Sequence, residues 1–179
     1  GAAVSQYSSS HGIDWSKNIP TSLLTSPLFH VSGLSAGAVT SLFVGSTTLM
    51  YDGRFMPEKV IALMQKFSAT SWGGAVPTAL KRVLDEAESK QLKLKSLLVV
   101  GGGGAPMPPE LIDRTGEVFP NSKYSFGYGY GLTESGAITI INWGENLSSE
   151  PSSPGSTMPT IKIQLRDENG AVITKDSTE

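Results

Sequence analysis

Residues 96–106 read SLLVVGGGGAP, and residues 127–135 read GYGYGLTES. The first stretch is an apolar run, typical of a parallel strand covered on both faces, followed by a glycine cluster. The second glycine cluster follows an aromatic run at residues 124–126. Each cluster is predicted to lie at the end of a strand. Because ligands of open α/β sheets bind in the crevice outside the carboxyl ends of the strands, the two clusters are predicted to share one site.

The rest of the chain alternates short β-prone runs with helical patterns. Strands are predicted at residues 22–26, 47–51, 69–72 and 96–100, and a tightly packed helix of small residues at 32–44. Further helices are predicted to begin at Pro57, Pro77 and Pro108–Pro109, because proline favours the first helical turn. Their apolar residues recur at helical spacing, namely Val60, Ile61, Met64 and Phe67, then Leu80, Val83, Leu84 and Ala87, then Leu111, Ile112 and Val118. This alternation predicts an α/β fold with a mainly parallel sheet.

The two ends differ from this pattern. Residues 1–20 are polar and serine-rich, which predicts a truncated or frayed segment before an α/β subdomain at residues 21–147. Residues 148–179 are predicted to form a loop and a partial β subdomain. There Ile161, Ile163 and Leu165 alternate with polar residues before Asn169-Gly170, a pattern that predicts a half-buried strand entering a tight hairpin. The start of a small antiparallel β appendage is therefore expected at the C-terminus.

Composition narrows the range of partners. The chain has 179 residues, a formal net charge of -2 and no cysteine. The absence of a basic excess argues against a surface for nucleic acid, and the absence of cysteine excludes disulfides and thiolate metal sites. No apolar run approaches the roughly 20 residues of a membrane span. We expect a cytoplasmic protein that binds small molecules, and the sequence leaves its oligomeric state open.

One motif suggests a hydrolase. Residues 33–37 (GLSAG) match the G-x-S-x-G pattern that would make Ser35 a nucleophile, with an acid and a histidine later in the chain. The histidines, His11 and His30, both precede Ser35, so the usual order of the triad is impossible. Small residues for close helix packing are the preferred interpretation.

The second glycine cluster carries groups suited to a nucleotide. Tyr130 offers a ring for stacking, Thr133 a hydroxyl, and Glu134 a carboxylate for a hard cation such as magnesium. Glycines allow the backbone to approach a flat ligand closely. The competing interpretations are a flexible turn for the glycines and an ordinary carboxylate at a helix start for Glu134.

At residues 129–134 (GYGLTE) the chain resembles the adenylate-forming enzymes, which include acyl-CoA and aryl-CoA synthetases, luciferases and the adenylation domains of peptide synthetases. Three further stretches agree in order and spacing: residues 27–30 (PLFH) with the following Gly33, 76–78 (VPT) and 103–106 (GGAP). The resemblance implies a flavodoxin-like sheet of βα units flanked by helices. It also implies an acid–CoA ligase that uses ATP and magnesium, releases AMP, and takes a carboxylic acid and coenzyme A as co-substrates.

The resemblance assigns roles to particular residues. It places Thr133 on the α-phosphate, Glu134 on magnesium and His30 at the mouth of the acyl pocket, and these three residues are the candidate catalytic groups. The implied nucleotide-binding residues are Gly103, Gly104, Ala105, Pro106, Gly129, Tyr130, Gly131, Leu132 and Thr133. The implied acyl pocket consists of His30, Trp72, Gly73, Gly74, Ala75, Gly136 and Ala137. Because His30 stands where domains that select amino acids typically carry an acidic residue, a fatty or aryl acid is favoured.

The chain also departs from the family pattern. The family's Ser/Thr/Gly-rich phosphate loop with its lysine is not found before Thr21, and its ribose-binding aspartate and mobile lid with the catalytic lysine do not follow. The resemblance therefore implies the central part of the large amino-terminal domain, which is expected to be inactive alone. A non-catalytic adenine-nucleotide-binding module is the alternative.

Overall fold

The computed structural model describes residues 19–122 and 126–173 of the chain. The strands in these ranges are β1 (Thr21–Leu24), β2 (Thr47–Met50), β3 (Ser71–Ala75), β4 (Val99–Gly103), β5 (Phe126–Leu132), β6 (Ala137–Trp143) and β7 (Ser156–Thr157). The helices are α1 (Val31–Gly33), a π-helical segment (Leu34–Val39), α2 (Thr40–Phe43), α3 (Pro57–Lys66), α4 (Pro77–Ser89), α5 (Pro109–Val118), a 3₁₀ turn (Pro120–Ser122) and α6 (Gly144–Ser149). None of the helices in these ranges combines the length and apolar character needed to cross a bilayer.

The strands form one sheet in the order β2-β1-β3-β4-β5-β6-β7. Neighbours from β2 to β5 run parallel, whereas β5–β6 and β6–β7 are antiparallel. The predicted α/β fold with a mainly parallel sheet and an antiparallel end is confirmed. The order of the first five strands is the flavodoxin-like one, in which the chain reverses direction at β1. The carboxyl ends of β1 and β3 therefore form the switch point where ligands bind in such sheets.

The two faces of the sheet are covered differently. The connection from β1 to β2 runs one way along the sheet, and the connections from β2 through β5 run the other way. Right-handed crossovers therefore place residues 31–43 on one face, which we call the π-helix face, and α3, α4 and α5 on the other, which we call the core face. The hydrophobic core joins Leu23 and Trp72 of the sheet to Val60, Val83 and Leu111 of those three helices.

The long helices begin where the prolines predict. Pro57, Pro77 and Pro109 each occupy the first turn of a helix. The face of α4 predicted to be apolar is fully buried in the core, at Leu80, Val83, Leu84 and Ala87. Phe67, the last residue of the apolar pattern predicted for α3, caps the carboxyl end of that helix and is 45% exposed.

Helices α4 and α5 are joined at the surface by Arg114. Its guanidinium donates to both carboxylate oxygens of Glu88, at 2.9 and 2.7 Å, and to Asp85 at 2.7 Å. Hydrogen bonds from Lys81 and then from Arg114 hold the pKa of the Asp85 carboxyl below its ordinary value. This cluster lies on helices of the core face, away from the glycine-rich strand ends.

The helical segment at residues 31–43 packs its small residues inward. Gly33 is buried, and a Cβ added to it would lie 2.0 Å from the Pro27 carbonyl oxygen. A Cβ on Gly37 would lie 2.5 Å from Leu24 Cδ1. Large apolar residues occupy the outer side of the same segment and are exposed, namely Leu34, Val39, Leu42 and Phe43. Small residues thus bring the helix close to the sheet, as expected, and leave its outer side apolar.

The glycine clusters lie inside strands, whereas the sequence predicted them at strand ends. The apolar run at residues 96–100 contributes only Val99 and Val100 to β4, which continues through Gly103. Residues 127–132 likewise belong to β5. Glycine is usually depleted from strands, and the contacts that require it here come from neighbouring strands.

The C-terminal part matches the prediction only at its turn. Asp167 N donates to Ala171 O and Gly170 has φ of 84°, so the Asn169-Gly170 hairpin turn is present. The predicted half-buried strand is wrong, because residues 161–165 belong to no strand and Ile163 and Leu165 are 45% and 65% exposed.

The domain boundaries stay predictions, and all but two residues of the predicted segment at 1–20 lie outside the described ranges.

Candidate functional site

A row of glycines crosses β3, β4 and β5 on the π-helix face. Gly101 pairs with Gly127, and Gly103 pairs with Gly129. Because side chains alternate along a strand and Val100 faces the core, Gly101 and Gly103 face the opposite side. Gly73 also faces this side, since it pairs with Leu24, whose side chain contacts the π-helical segment. We call these five residues the glycine floor.

The floor is covered at one end and open at the other. A Cβ on Gly127 would lie 1.9 Å from Trp143 Cε3, and one on Gly129 would lie 2.9 Å from Ile138 Cγ2, so side chains of β6 cover β5. Among the described residues, no atom lies within 4 Å of a Cβ added to Gly73, and the only such atom for Gly101 is Gly73 Cα, at 3.7 Å. Space for a ligand therefore exists above β3 and β4.

The predicted nucleotide-binding residues come together at the ends of β4 and β5. A Cβ on Gly103 would lie 2.8 Å from Gly129 O, so the two backbones are in close contact. The exposed loop Gly104, Ala105 and Pro106 leaves β4 at this point. Tyr130 follows Gly129 in β5, and its ring is 52% exposed. The accessible ring of Tyr130 thus lies on β5, and the exposed loop leaves the neighbouring strand, β4.

Thr133 and Glu134 lie at the tip of the β5–β6 hairpin. Leu132 pairs with Ala137, and residues 133–136 form an exposed turn in which Gly136 has φ of 80°. Within the described residues, the side chains of Thr133 and Glu134 have no hydrogen-bond or ion-pair partner. A hydroxyl and a carboxylate are therefore both free to bind a ligand at the edge of the site.

The geometry of this tip fits the ligand chemistry of magnesium. Magnesium prefers oxygen ligands and is often held by one or two carboxylates together with substrate phosphates. The exposed, unpaired Glu134 carboxylate offers such a ligand beside the Thr133 hydroxyl. The described residues contain no cluster of three or more carboxylate or histidine ligands. A cation here would therefore depend on phosphate oxygens of the nucleotide for its other ligands.

Part of the predicted acyl pocket lies around the switch point. Ser26 Oγ donates to Gly74 O at 3.1 Å and so joins the segment after β1 to the end of β3. His30 caps the short α1, where its Nδ1 accepts from Ser32 N at 3.2 Å, and its side chain is exposed. The π-helical segment contacts both β3 and β6. Gly73, Gly74, Gly136 and Ala137 belong to the strands and turn near this segment.

Two predicted pocket residues face the core instead. Trp72 is 0% exposed, stands edge-on to Phe119 with ring centroids 6.5 Å apart, and donates from Nε1 to Thr25 Oγ1 at 3.0 Å. Ala75 is likewise buried in the core cluster. Alternation along β3 turns Trp72 away from its neighbour Gly73. An irregularity of the strand between Trp72 and Ala75, where Gly74 has φ of 72°, turns Ala75 to the core as well. Their place in the acyl pocket stays a prediction.

Ser35 is not in a nucleophile elbow. That motif needs a sharp turn from a strand into a helix, but Ser35 lies within the π-helical segment, and its carbonyl accepts a hydrogen bond from Thr40 Oγ1. The glycines around it pack against Pro27 and Leu24. The hydrolase hypothesis therefore has no structural support.

A separate cleft of about 470 Å³ opens at the carboxyl ends of β1 and β2. Its walls are largely apolar and include Pro27, Phe29, Met50, Tyr51 and Phe55. None of the predicted nucleotide-binding residues lines it. The accessible ring, the free hydroxyl and the free carboxylate lie instead on β5 and the hairpin that follows it.

The sequence interpretation missed two residues. Gly101 has no site role in the sequence-based prediction, which places its cluster at a strand end, although its pairing with Gly127 makes it part of the floor. Ser135 was left without a role, although its hydroxyl lies within 3.1 Å of three backbone atoms of the hairpin. A serine–glycine dipeptide after Glu134 is a turn signal that could have identified Ser135.

The chain belongs to the family of AMP-binding enzymes, whose family model matches residues 1–178. Among curated proteins, a 4-coumarate–CoA ligase-like protein of Oryza sativa is 30% identical over 154 residues. A long-chain-fatty-acid–CoA ligase of Thermus thermophilus is 31% identical over 161 residues. These matches cover 86% and 84% of this chain but only 28% of each relative.

Solved structures show the same fold. The o-succinylbenzoate coenzyme A synthetase of Bacillus subtilis in complex with ATP and magnesium ion is similar with a TM-score of 0.76 and 27% identity. The match covers 97% of this chain and 33% of that chain. The chain therefore spans about a third of the length of this relative.

Proposed function

We propose that this chain supplies the adenine and acyl binding surfaces of an AMP-forming acid–CoA ligase. The observation that carries the proposal is the meeting of two sets of residues at one edge of the sheet. The Gly103–Gly129 contact and the ring of Tyr130 form one set, and the free side chains of Thr133 and Glu134 form the other. Family membership and the relatives that are acid–CoA ligases support the same activity.

In this proposal the nucleotide is held by its base and its phosphates. The adenine lies between the backbone at Gly103–Ala105 and the ring of Tyr130, where the absence of side chains on glycine permits close approach. The Thr133 hydroxyl donates to an α-phosphate oxygen. Glu134 holds magnesium, which neutralises charge that develops on the phosphate oxygens.

The proposed reaction has two steps. The carboxylate of the acid attacks the α-phosphorus of ATP, so that an acyl-adenylate forms and pyrophosphate leaves. The thiol of coenzyme A, as its thiolate, then attacks the acyl carbonyl carbon, and AMP leaves as the thioester forms. Residues of this chain bind and orient the reactants, and His30 is proposed to stand at the entrance of the acyl pocket.

The open part of the glycine floor is the proposed acyl site. Gly73 and Gly101 leave space above β3 and β4, beside the small residues of the π-helical segment. An acid here would lie between the switch point and the hairpin that carries Thr133. A site with a backbone floor and no charged side chain on it suits an apolar chain or an aromatic ring, in agreement with a fatty or aryl acid.

The test of this function is acid-dependent exchange of pyrophosphate into ATP by the full-length protein. We expect exchange with at least one fatty or aryl acid and none without an acid. If neither class of acid supported exchange, although the protein was folded and magnesium was present, the proposed function would be wrong.

Tyr130→Ala is expected to raise the KM for ATP about 5- to 100-fold, because stacking of a base on an aromatic ring contributes about 1–3 kcal/mol. Tyr130→Phe keeps the ring and should leave KM within about twofold of the original. Steady-state exchange rates measured against ATP concentration compare the two variants. Equal KM values for both variants would remove Tyr130 from the adenine site.

Gly101→Val is expected to shift the acid preference. The new side chain would enter the space above β4 and shorten the proposed acyl site, so kcat/KM for a bulky aryl acid should fall about tenfold or more relative to a short aliphatic acid. The short acid is the internal control, because both acids share the nucleotide site. An unchanged ratio would place the acyl group elsewhere.

The second candidate is a nucleotide-binding module without catalysis. It is favoured by the exposure of Tyr130, Thr133 and Glu134, which makes the proposed nucleotide groups accessible within this chain alone. Titration of AMP and ATP into the 179-residue chain distinguishes the two. Binding tighter than about 1 mM, or roughly -4 kcal/mol, supports an autonomous binder, whereas the absence of binding agrees with a site that other parts of a ligase complete.

A further inference from the structure

The turn that carries Thr133 and Glu134 is closed by the side chain of Ser135. Its Oγ accepts from Leu132 N at 3.1 Å and lies 2.8 Å from Leu132 O and 3.1 Å from Ala137 O. One hydroxyl therefore contacts the last residue of β5 and the first residue of β6. It can accept from the amide and share its single proton between the two carbonyls.

Backbone bonds alone define the turn less completely. Ser135 N donates to Leu132 O at a long 3.2 Å, and Gly136 N donates to Thr133 O at 3.0 Å. Gly136 adopts the left-handed conformation that a turn of this kind requires. Leu132 and Ala137 are paired strand residues, and the Ser135 hydroxyl adds a side-chain contact to both, so it reinforces the closed end of the turn.

The side chains of Thr133 and Glu134 depend on this backbone for their direction. Both are exposed, and neither has a hydrogen-bond partner among the described residues. Only the turn holds them relative to Tyr130 and the Gly103–Gly129 contact. A small change in the turn would therefore move both groups away from a bound phosphate without disturbing the core.

We propose that Ser135 is a positioning residue that holds Thr133 and Glu134 in register with the α-phosphate and magnesium of the nucleotide. This inference rests on the proposed ligase function. Ser135 acts through the backbone and touches no reacting atom.

The experiment compares Ser135→Ala with Ser135→Thr, which keeps the hydroxyl. Ser89→Ala is the matched control, because Ser89 is also an exposed serine whose Oγ donates to a backbone carbonyl, that of Glu86 at 2.9 Å, at the end of α4. Amide hydrogen exchange at Leu132 is measured in the 179-residue chain. The kcat of pyrophosphate exchange and the KM for the acid are measured in the full-length protein.

For Ser135→Ala we expect hydrogen exchange of the Leu132 amide to accelerate. We expect kcat to fall about 3- to 10-fold, because a factor of this size corresponds to the loss of one ordinary hydrogen bond. The KM for the acid and the midpoint of thermal unfolding should not change. Ser135→Thr should restore most of kcat, and Ser89→Ala should alter neither quantity.

Three results would overturn the inference. Unchanged amide exchange at Leu132 in Ser135→Ala would show that the hydroxyl does not hold the turn. Faster amide exchange with unchanged kcat would show that the turn is held but that catalysis does not depend on it. An original protein without any acid-dependent pyrophosphate exchange would overturn the ligase function itself, and the positioning role with it.

Discussion

Glu134→Gln in the full-length protein is expected to slow acid-dependent pyrophosphate exchange by about 100-fold or more. That size is typical when one group that stabilises developing charge in the transition state is removed. Glutamine keeps the shape of the side chain but is a much weaker ligand for magnesium. Because the Glu134 carboxylate is exposed and unpaired at the hairpin tip, the free energy of unfolding should change by less than about 0.5 kcal/mol.

The chain offers a close control for this variant. Glu168 is also an exposed carboxylate in a hairpin turn, between Asp167 and Asn169. Glu168→Gln should leave the exchange rate unchanged. If the two variants had equal rates, or if higher magnesium concentrations did not partly restore Glu134→Gln, the magnesium role of Glu134 would be wrong.

Trp72→Ala is expected to lower the free energy of unfolding by about 3–5 kcal/mol, the usual cost of emptying a large core site. The indole is fully buried against Phe119 and donates to Thr25 Oγ1, so the variant loses packing and leaves a hydroxyl without its donor. That cost is a large part of the roughly 5–15 kcal/mol that holds a domain folded. Urea unfolding followed by circular dichroism measures it.

Phe67→Ala is the control for Trp72→Ala, because it removes an exposed aromatic side chain instead of a buried one. Phe67 follows the helical spacing of the apolar residues of α3, but it is half-exposed at the end of the helix, with the Lys66 ammonium 5.2 Å from its ring centroid. Its removal should cost about 0.5 kcal/mol or less. Equal costs for Trp72→Ala and Phe67→Ala would contradict the assignment of Trp72 to the core.

The helices were predictable because their signals are local. A proline at the first turn and apolar residues at helical spacing predict α3, α4 and α5, and these signals lie within each segment. The parallel sheet follows from the alternation of such segments with β-prone runs. Phe67 continued the apolar pattern of α3, but the helix ends before it, and helix ends are the least certain part of such a pattern.

The positions of the glycines were not predictable in the same way. Gly127 and Gly129 extend β5 because Trp143 and Ile138 of β6 occupy the space that side chains would need. These contacts join residues 9 to 16 positions apart, as their numbers show, and a propensity scale contains no information about them. The alternating run at Ile161, Ile163 and Leu165 failed for a related reason, since no described strand pairs with it beyond one bridge between Arg166 and Val172.

The identity of the site residues stays a prediction, and the structure shows only where those residues lie. Tyr130, Thr133 and Glu134 were named from their chemistry and are accessible at one edge of the sheet. Trp72 and Ala75 were predicted in the acyl pocket together with Gly73 and Gly74, but both side chains face the core. Alternation separates Trp72 from Gly73, and the irregularity of β3 at Gly74 turns Ala75, which no sequence pattern indicates. Gly101 belongs to the glycine floor because β4 pairs with β5, and this pairing cannot be read from the sequence alone.

The helix at residues 31–43 has a consequence for how this chain behaves in solution. With its small residues against the sheet, it exposes Leu42 and Phe43, and the side chain of Phe29 just before it is 94% exposed. Exposed apolar side chains on one segment promote association between molecules. We expect the isolated chain to bind hydrophobic dyes and to form larger species as its concentration rises. The double variant Leu42→Glu, Phe43→Lys should form such species only at higher concentration, and its sheet should stay folded.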